Sequence, residues 1–394
     1  MCARSAAPTQ VVRLWPQRPI VTTTSTITTE SSASGSSARF EDVVVAVDAN
    51  GSDEGPAEVV AGVREAARGG ARVLLFGPAQ LIETLPPLGP RVDVVDAPLS
   101  IAKSPDPARA VREAPQASIV QAAKAVGEGR AQALVCAGGT GAALAAGLFN
   151  IKRARGVHRP ALALPIPVPG LAHPVTLLDV GASAQARSDH LVQFAFMGAA
   201  FATAVLGVAN PRVGLLSNGE EAERGSELVV TAGEQLARLA QDGRLAWVGN
   251  VEGNDLVGGG ADVIVCDGFT GNIALKLMEG VSQTVLAAVR DAALSSRRGK
   301  LGGMLLRPSL RAFREEIDPE AQGGAYLLGL RRLAVVPHGR FAGHGFAQAI
   351  VRAERGVRED VVGATRAALR DAGALRSVGR AGPLSADAAS LTSE

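Results

Sequence analysis

The chain has 394 residues, 47 % of them apolar, and its 40 basic residues nearly balance 38 acidic ones, for a net charge of +2. That balance offers no global positive field for nucleic acid, and 3 % aromatics are too few for an RNA-stacking sheet or an immunoglobulin-like sandwich. Three cysteines (Cys2, Cys136 and Cys266) with no CxxC pair exclude a disulfide framework, and apolar runs broken within ~12 residues fall short of a membrane span.

Residues 1–40 read as a disordered extension, because 12 of the 16 residues from position 22 to 37 are Ser or Thr. Four Arg against one Glu there leave a transit peptide open, while the lack of an apolar segment excludes an ordinary secretory signal. Residues 41–375 form an α/β unit, expected to fold as two subdomains with the site between them. Residues 376–394 are small and polar and read as a second disordered tail.

Within the unit, short β-branched runs end in Gly-rich turns and pass into Ala/Leu-rich helical stretches. Strand 43–48 leads to Ala49-Asn50-Gly51, and strand 72–76 to Gly77-Pro78. Strand 133–137 leads to Gly138-Gly139-Thr140-Gly141 and a helix over 142–149. Strands 177–180 and 212–216 precede Gly181 and Ser217-Asn218-Gly219. Strand 262–265 precedes Cys266-Asp267-Gly268, and a helix is expected over 273–279. Fully apolar strands alternating with helices predict a three-layer α/β/α fold with a mainly parallel sheet.

Two turns are built to receive an anion. Gly138, Gly139, Thr140 and Gly141 place backbone N–H groups at a helix start, and Asp267-Gly268-Phe269-Thr270-Gly271-Asn272 has the same design. A P-loop, a G-x-S-x-G elbow, H-E-x-x-H and a clear G-x-G-x-x-G are all missing, so anion binding stands without an obvious protein nucleophile. Cys136 and Cys266 end strands as buried hydrophobes or as acyl-accepting thiolates. His338 follows an apolar strand and is the best general-base or oxyanion candidate. The clusters around Asn218-Gly219-Glu220-Glu221 and Glu252-Gly253-Asn254-Asp255 suit loop capping better than a metal. From 295 to 314 the chain is basic and apolar without an acid. Arg298, Lys300, Leu305 and Leu306 are its candidates for contact with an anionic bilayer.

In order, these blocks resemble the bacterial acyl-ACP:phosphate acyltransferase family. The resemblance rests on residues 47–53, 137–142, Gly156-Val157-His158-Arg159-Pro160, 177–182, His190 with Met197-Gly198, 210–221, 249–253, 262–276, 323–329 and His338-Gly339. It implies an isocitrate/isopropylmalate-dehydrogenase-like fold and a homodimer. The reaction is reversible transfer of a fatty acyl chain from acyl-ACP to inorganic phosphate, without cofactor or metal. It also implies a cytoplasmic enzyme peripheral to the membrane, supplying acyl phosphate to a glycerol-3-phosphate acyltransferase for phospholipid synthesis. His338, Lys276, Asp267 and Asn272 become catalytic candidates. Gly138, Gly139, Thr140, Gly141, Thr270, Gly271, Asn218 and Glu252 become phosphate- and substrate-binding candidates.

The sequence departs from the family at Asn50 and Ser52, at Gly139, at Ser183, Gln185 and Ala186, and at Arg340 and Phe341. The family's Lys-Lys-Asp-Ser-Ser is Ala114-Pro115-Gln116-Ala117-Ser118 here, which removes two positive charges; Arg109, Arg112 and Arg187 are the candidates to replace them. Two alternatives remain, a short-chain acyl-CoA phosphate acyltransferase and a non-catalytic paralogue that binds carrier protein or membrane.

Overall fold

The computed structural model describes residues 43–376 apart from Gly138 and Ile317; the expected extension, most of the expected tail, Cys2 and Gly138 therefore lie outside the described residues. The first part of the chain runs β1 (Val44–Asp48), α1 (Pro56–Arg68), β2 (Arg72–Gly77), α2 (Ala79–Glu83), β3 (Val92–Asp96), α3 (Pro107–Glu113), α4 (Ser118–Gly127), β4 (Ala133–Cys136) and α5 (Thr140–Ala146). A π-helical turn, Gly147–Ile151, extends α5. Then come β5 (Ala161–Ile166), β6 (Val175–Leu178), α6 (Ser188–Leu206), β7 (Arg212–Leu216), α7 (Glu227–Ala240), β8 (Ala246–Val251), α8 (Asp255–Gly258) and β9 (Val263–Val265). The last part holds α9 (Gly268–Leu294), α10 (Arg297–Glu316), β10 (Ala325–Leu328), β11 (Leu333–Val336), α11 (Gly343–Arg358) and α12 (Val361–Asp371).

All strands join one eleven-stranded sheet in the order β3-β2-β1-β4-β11-β10-β5-β6-β9-β7-β8. Side chains alternate along each strand, so the sheet feeds two apolar layers. Val45, Val47, Val73 and Val135 pack with α1, α6 and α11, while Ala46, Phe76, Leu134 and Leu177 pack with α4 and α5 on the other face. The three-layer fold expected from the sequence is the one observed. α6 is 19 residues long and apolar enough by composition to cross a membrane, but Leu191, Phe194, Met197 and Phe201 are buried in the sheet's own core.

Strand direction carries the consequence for the site. β4, β1, β2, β3 and β11 run one way. The pairs β11–β10, β10–β5 and β5–β6 are antiparallel, so β6, β9, β7 and β8 run the opposite way. The carboxyl ends of β1, β4 and β11 therefore lie on one sheet edge and those of β6, β9 and β7 on the other. The two Gly-rich turns of the sequence fall on opposite edges.

Candidate functional site

The carboxyl ends of β1, β4 and β11 are knitted together. Gly51 passes so close to the Ala137 carbonyl that a Cβ would overlap it, so only glycine fits. The Asp53 N–H donates to the Gly339 carbonyl at 2.8 Å, and the Ser52 hydroxyl donates to the same oxygen at 3.1 Å. Asn50 extends the network: its side-chain amide donates to the Ala97 carbonyl at 2.9 Å and to the Ser118 hydroxyl at 3.1 Å. The departures Asn50 and Ser52 are thus working members of the loop framework.

Beneath this loop Asp48 is buried, accepting the Asn50 N–H at 3.0 Å. Burial pushes its carboxyl up to about 6, against the opposing pull of Ser118 and the Asn50 N–H. With an unfolded value of 3.8, the native state binds the extra proton between about pH 4 and 6. The associated stability is present at low pH and is lost as the pH rises through 6, a loss of about 3 kcal/mol. Asp48→Asn removes that titration. Relative to the native chain, the variant gains about 3 kcal/mol between pH 4 and pH 8 in urea denaturation. A stability difference that does not change with pH refutes the assignment.

At the end of β4, Gly139 caps α5, and a Cβ on it would lie 2.6 Å from the Ala102 carbonyl oxygen. Among the described residues, no hydrogen bond uses the N–H groups of Thr140 and Gly141, the first turn of this helix, whose positive end suits an anion. Beside it, Pro105, Pro107, Gly141, Leu144, Leu148 and Phe149 line an open apolar groove of about 380 Å³. The cations considered as replacements for the missing lysines are engaged elsewhere. Arg109 pairs with Glu113 at 2.8 Å, Arg112 lies over the Phe149 ring at 5.5 Å, and Arg187 pairs with Asp189 at 3.1 Å.

The charge at this edge comes instead from α9. The helix starts on the far edge, after β9, and eight residues of rise carry it about 12 Å to the end of β11. There Lys276 Nζ lies 3.5 Å from His338 Nε2 and 2.8 Å from Glu279. His338 Nδ1 accepts the Arg340 N–H at 3.2 Å, which places the proton of the neutral ring on Nε2. Burial, then the Lys276 charge, lowers the basicity of the imidazole, so the ring is neutral at pH 7. An ammonium, paired on one side with Glu279, and an imidazole N–H thus stand side by side as two donors that one acceptor can share. Phe341, one of the departures, stacks on this ring with centroids 6.2 Å apart and is itself buried.

The second Gly-rich turn differs from its sequence reading. The expected helix 273–279 is the 27-residue α9, and Gly268 to Asn272 are its first turn. Asp267 caps it, accepting the N–H groups of Phe269 and Thr270 at 3.0 Å and the Thr270 hydroxyl at 2.6 Å. Asp267, Thr270 and Gly271 therefore do not form an open anion cradle. A carboxylate already occupies the donors and would repel a second anion. The glycines serve packing: a Cβ on Gly271 would overlap the Asp179 carbonyl, and one on Gly268 would lie 2.8 Å from the Asp179 carboxylate. Asn272 is exposed near Gly181, at the opposite end of this stretch of helix from Lys276.

Asp179 organises that edge. It is fully buried and accepts four backbone N–H groups, from Leu162 at 2.9 Å, Gly181 at 3.0 Å, Ala182 at 2.9 Å and Ser183 at 2.7 Å. Nothing in the spacing of the sequence marks it apart from its place at a strand end.

Asn218 and Glu252 follow β7 and β8, in the oppositely running block. Asn218 is exposed, the Glu252 N–H donates to Asp255 at 2.8 Å, and no bond joins either residue to Lys276 or His338 among the described residues. Cys136 and Cys266 are buried, and burial pushes both thiols far above the range in which a thiolate forms at neutral pH. Neither is a nucleophile. Arg298, Lys300, Leu305 and Leu306 are on α10, where Leu305 is 74 % and Leu306 57 % exposed.

Comparison with known proteins places this chain in a family. The family model described as fatty acid synthesis protein matches residues 43–363. The phosphate acyltransferase of Heliobacterium modesticaldum is 42 % identical over 326 residues, covering 81 % of this chain and 96 % of that protein. That of Latilactobacillus sakei is 45 % identical over 298 residues, covering 75 % and 88 %. A phosphotransacetylase structure from Streptococcus pyogenes superposes with a TM-score of 0.56 over 81 % of this chain and 95 % of its own, at 15 % identity, a likeness of fold alone. The chain belongs to the fatty acid synthesis protein family, that of the phosphate acyltransferases, and is an acyltransferase.

Proposed function

We propose that this chain transfers a fatty acyl group from acyl carrier protein to inorganic phosphate, releasing acyl phosphate for phospholipid synthesis. The observation that carries the reading is the pair of donors, Lys276 and His338, 3.5 Å apart on the same sheet edge as the unbonded first turn of α5, at the carboxyl ends of the paired strands β11 and β4. A phosphate oxygen bonds to the thioester carbonyl carbon and the C–S bond breaks. The proton of hydrogenphosphate passes to the departing sulfur, so atoms and charge balance without a protein nucleophile. Gly139, Thr140 and Gly141 hold phosphate by backbone N–H groups, and Lys276 and His338 neutralise charge on phosphate and on the developing oxyanion.

The test is palmitoyl-ACP with and without phosphate, trapping acyl phosphate with hydroxylamine and counting free ACP thiol. Phosphate-dependent formation of both supports the reading. Turnover of acetyl- or butyryl-CoA alone points to the short-chain alternative, and no turnover with any donor refutes the reaction.

The same reading makes the enzyme a homodimer working on the cytoplasmic face of the membrane, handing product to a glycerol-3-phosphate acyltransferase. Ile273, Leu277, Val281 and Val285 recur every four residues along α9 and are 50–65 % exposed, which supports a helical partner of the same chain. On α10, exposed leucines among Arg298 and Lys300 support contact with anionic lipid. Leu305→Glu with Leu306→Glu weakens flotation with phosphatidylglycerol vesicles at least roughly tenfold, because each Leu buried in lipid contributes on the order of 1.5–3 kcal/mol. Unchanged flotation rejects α10 as the anchor.

A further inference from the structure

Four exposed cations, Lys152, Arg153, Arg155 and Arg159, occupy the connection into β5. Arg331 and Arg332, exposed after β10, lie alongside. The Arg331 N–H donates to the Lys152 carbonyl at 2.9 Å, and its guanidinium donates to the Arg153 carbonyl at 3.3 Å. The Arg376 N–H donates to the Gly156 carbonyl at 2.9 Å, which brings an exposed seventh cation. Arg187, before α6, is the eighth: with Arg153 and Arg376 it lowers the basicity of His158, secondary to burial. The acid set among them is Asp189, gripped by Arg187 at 3.1 and 3.2 Å. Lys152, Arg155, Arg159, Arg332 and Arg376 have no side-chain hydrogen bond or ion pair among the described residues. So dense a group of unpaired cations calls for an anionic partner.

The kind of partner follows from what surrounds the charges. His158, Asp189 and His190 have the residue types of a metal site. However, His190 Nδ1 accepts the Arg187 N–H at 3.2 Å, which leaves the proton on its Nε2, and guanidiniums crowd both rings. These segments carry no Phe, Tyr or Trp on which bases could stack and no exposed large apolar side chain to enter lipid. Cations spread over four chain segments on an open face suit an acidic protein surface. The face lies on the sheet edge opposite Lys276 and His338, at the amino ends of β5 and β11, and is linked to the proposed site through α9. The Ser183 hydroxyl donates to the Pro160 carbonyl at 3.3 Å, and the Ser183 carbonyl accepts the N–H of Gly268, the first residue of the helix that carries Lys276.

We propose that this face docks the acidic surface of the carrier protein that delivers the acyl thioester, an inference that rests on the reading of the donor as carrier-bound. The test uses the full chain and the variant Arg155→Glu, Arg332→Glu, Arg376→Glu, with decanoyl-ACP and decanoyl N-acetylcysteamine as donors at equal phosphate. The triple variant loses at least roughly tenfold in kcat/KM for decanoyl-ACP, through KM, and its reaction becomes less sensitive to salt. Its kcat/KM for the small thioester stays within about twofold of native.

Native turnover of both donors with an unaffected variant overturns the docking face alone. Native turnover of the small thioester but not of decanoyl-ACP overturns the carrier reading and the face with it. Equal losses with both donors show a structural lesion and also overturn the face. Holo-ACP binding by titration calorimetry decides docking even where neither donor turns over. Intact carrier binding with lost binding to phosphatidylglycerol vesicles or to a single-stranded oligonucleotide reassigns the face.

Discussion

Replacing His338 by Ala lowers kcat for phosphate-dependent acyl transfer by roughly 10²–10³-fold, the range found when one preorganised donor to a developing oxyanion is removed. The side chain is half-buried and its ring makes one backbone hydrogen bond, so the fold survives. Lys276→Met has a different signature. An ammonium that holds phosphate in the ground state raises KM for phosphate, whereas one that acts only on the transition state lowers kcat at unchanged KM. Because the two groups share one acceptor, the double variant loses less than the product of the single losses. His338→Gln, which can return an N–H donor, recovers part of the rate. Hydroxamate trapping over a phosphate series measures all four proteins. Losses below about threefold in both single variants remove these residues from the machinery.

Asp179→Ala has the largest effect on stability. The donors of Leu162 and Ser183 would be left buried and unbonded at about 1–3 kcal/mol each and those of Gly181 and Ala182 partly so, so the variant loses on the order of 4 kcal/mol and accumulates poorly as soluble chain. Asp179→Asn separates the roles of the two oxygens. Its amide oxygen can still accept from Leu162, Gly181 and Ala182, while its amide nitrogen would face the Ser183 N–H, donor against donor. Its urea midpoint falls between those of native and Ala chains. An Ala variant as stable as the native chain refutes the assignment.

Strands whose residues are apolar on both faces were legible in the sequence, because burial between two helical layers leaves that signature; Arg212–Leu216 was read with the bounds observed. Strand direction was not legible. An apolar run such as Ala161–Ile166 is the same for a parallel or an antiparallel neighbour, so the reversal through β5 and β10 went unread. The helix start at Gly268 was read as loop because glycines signal turns. Gly268 and Gly271 instead make room for Asp179. In the site, turn chemistry singled out Thr140 and His338, but Lys276 and His338 are 62 positions apart and only the fold joins them. The cationic face is likewise collected from four separate segments, none of which is strongly basic by length alone.

The placement of β11 has a consequence for how the chain acquires its structure. β4 pairs on one side with β1, but its other neighbour is β11, two hundred residues further along. At ~5–20 residues per second, a ribosome needs about 10–40 s to deliver that strand. Until then the nascent chain presents β4 as an open, wholly apolar edge. Folding of the first block is therefore tied to completion of the last, and pausing late in translation prolongs exposure of the strand that carries the α5 turn.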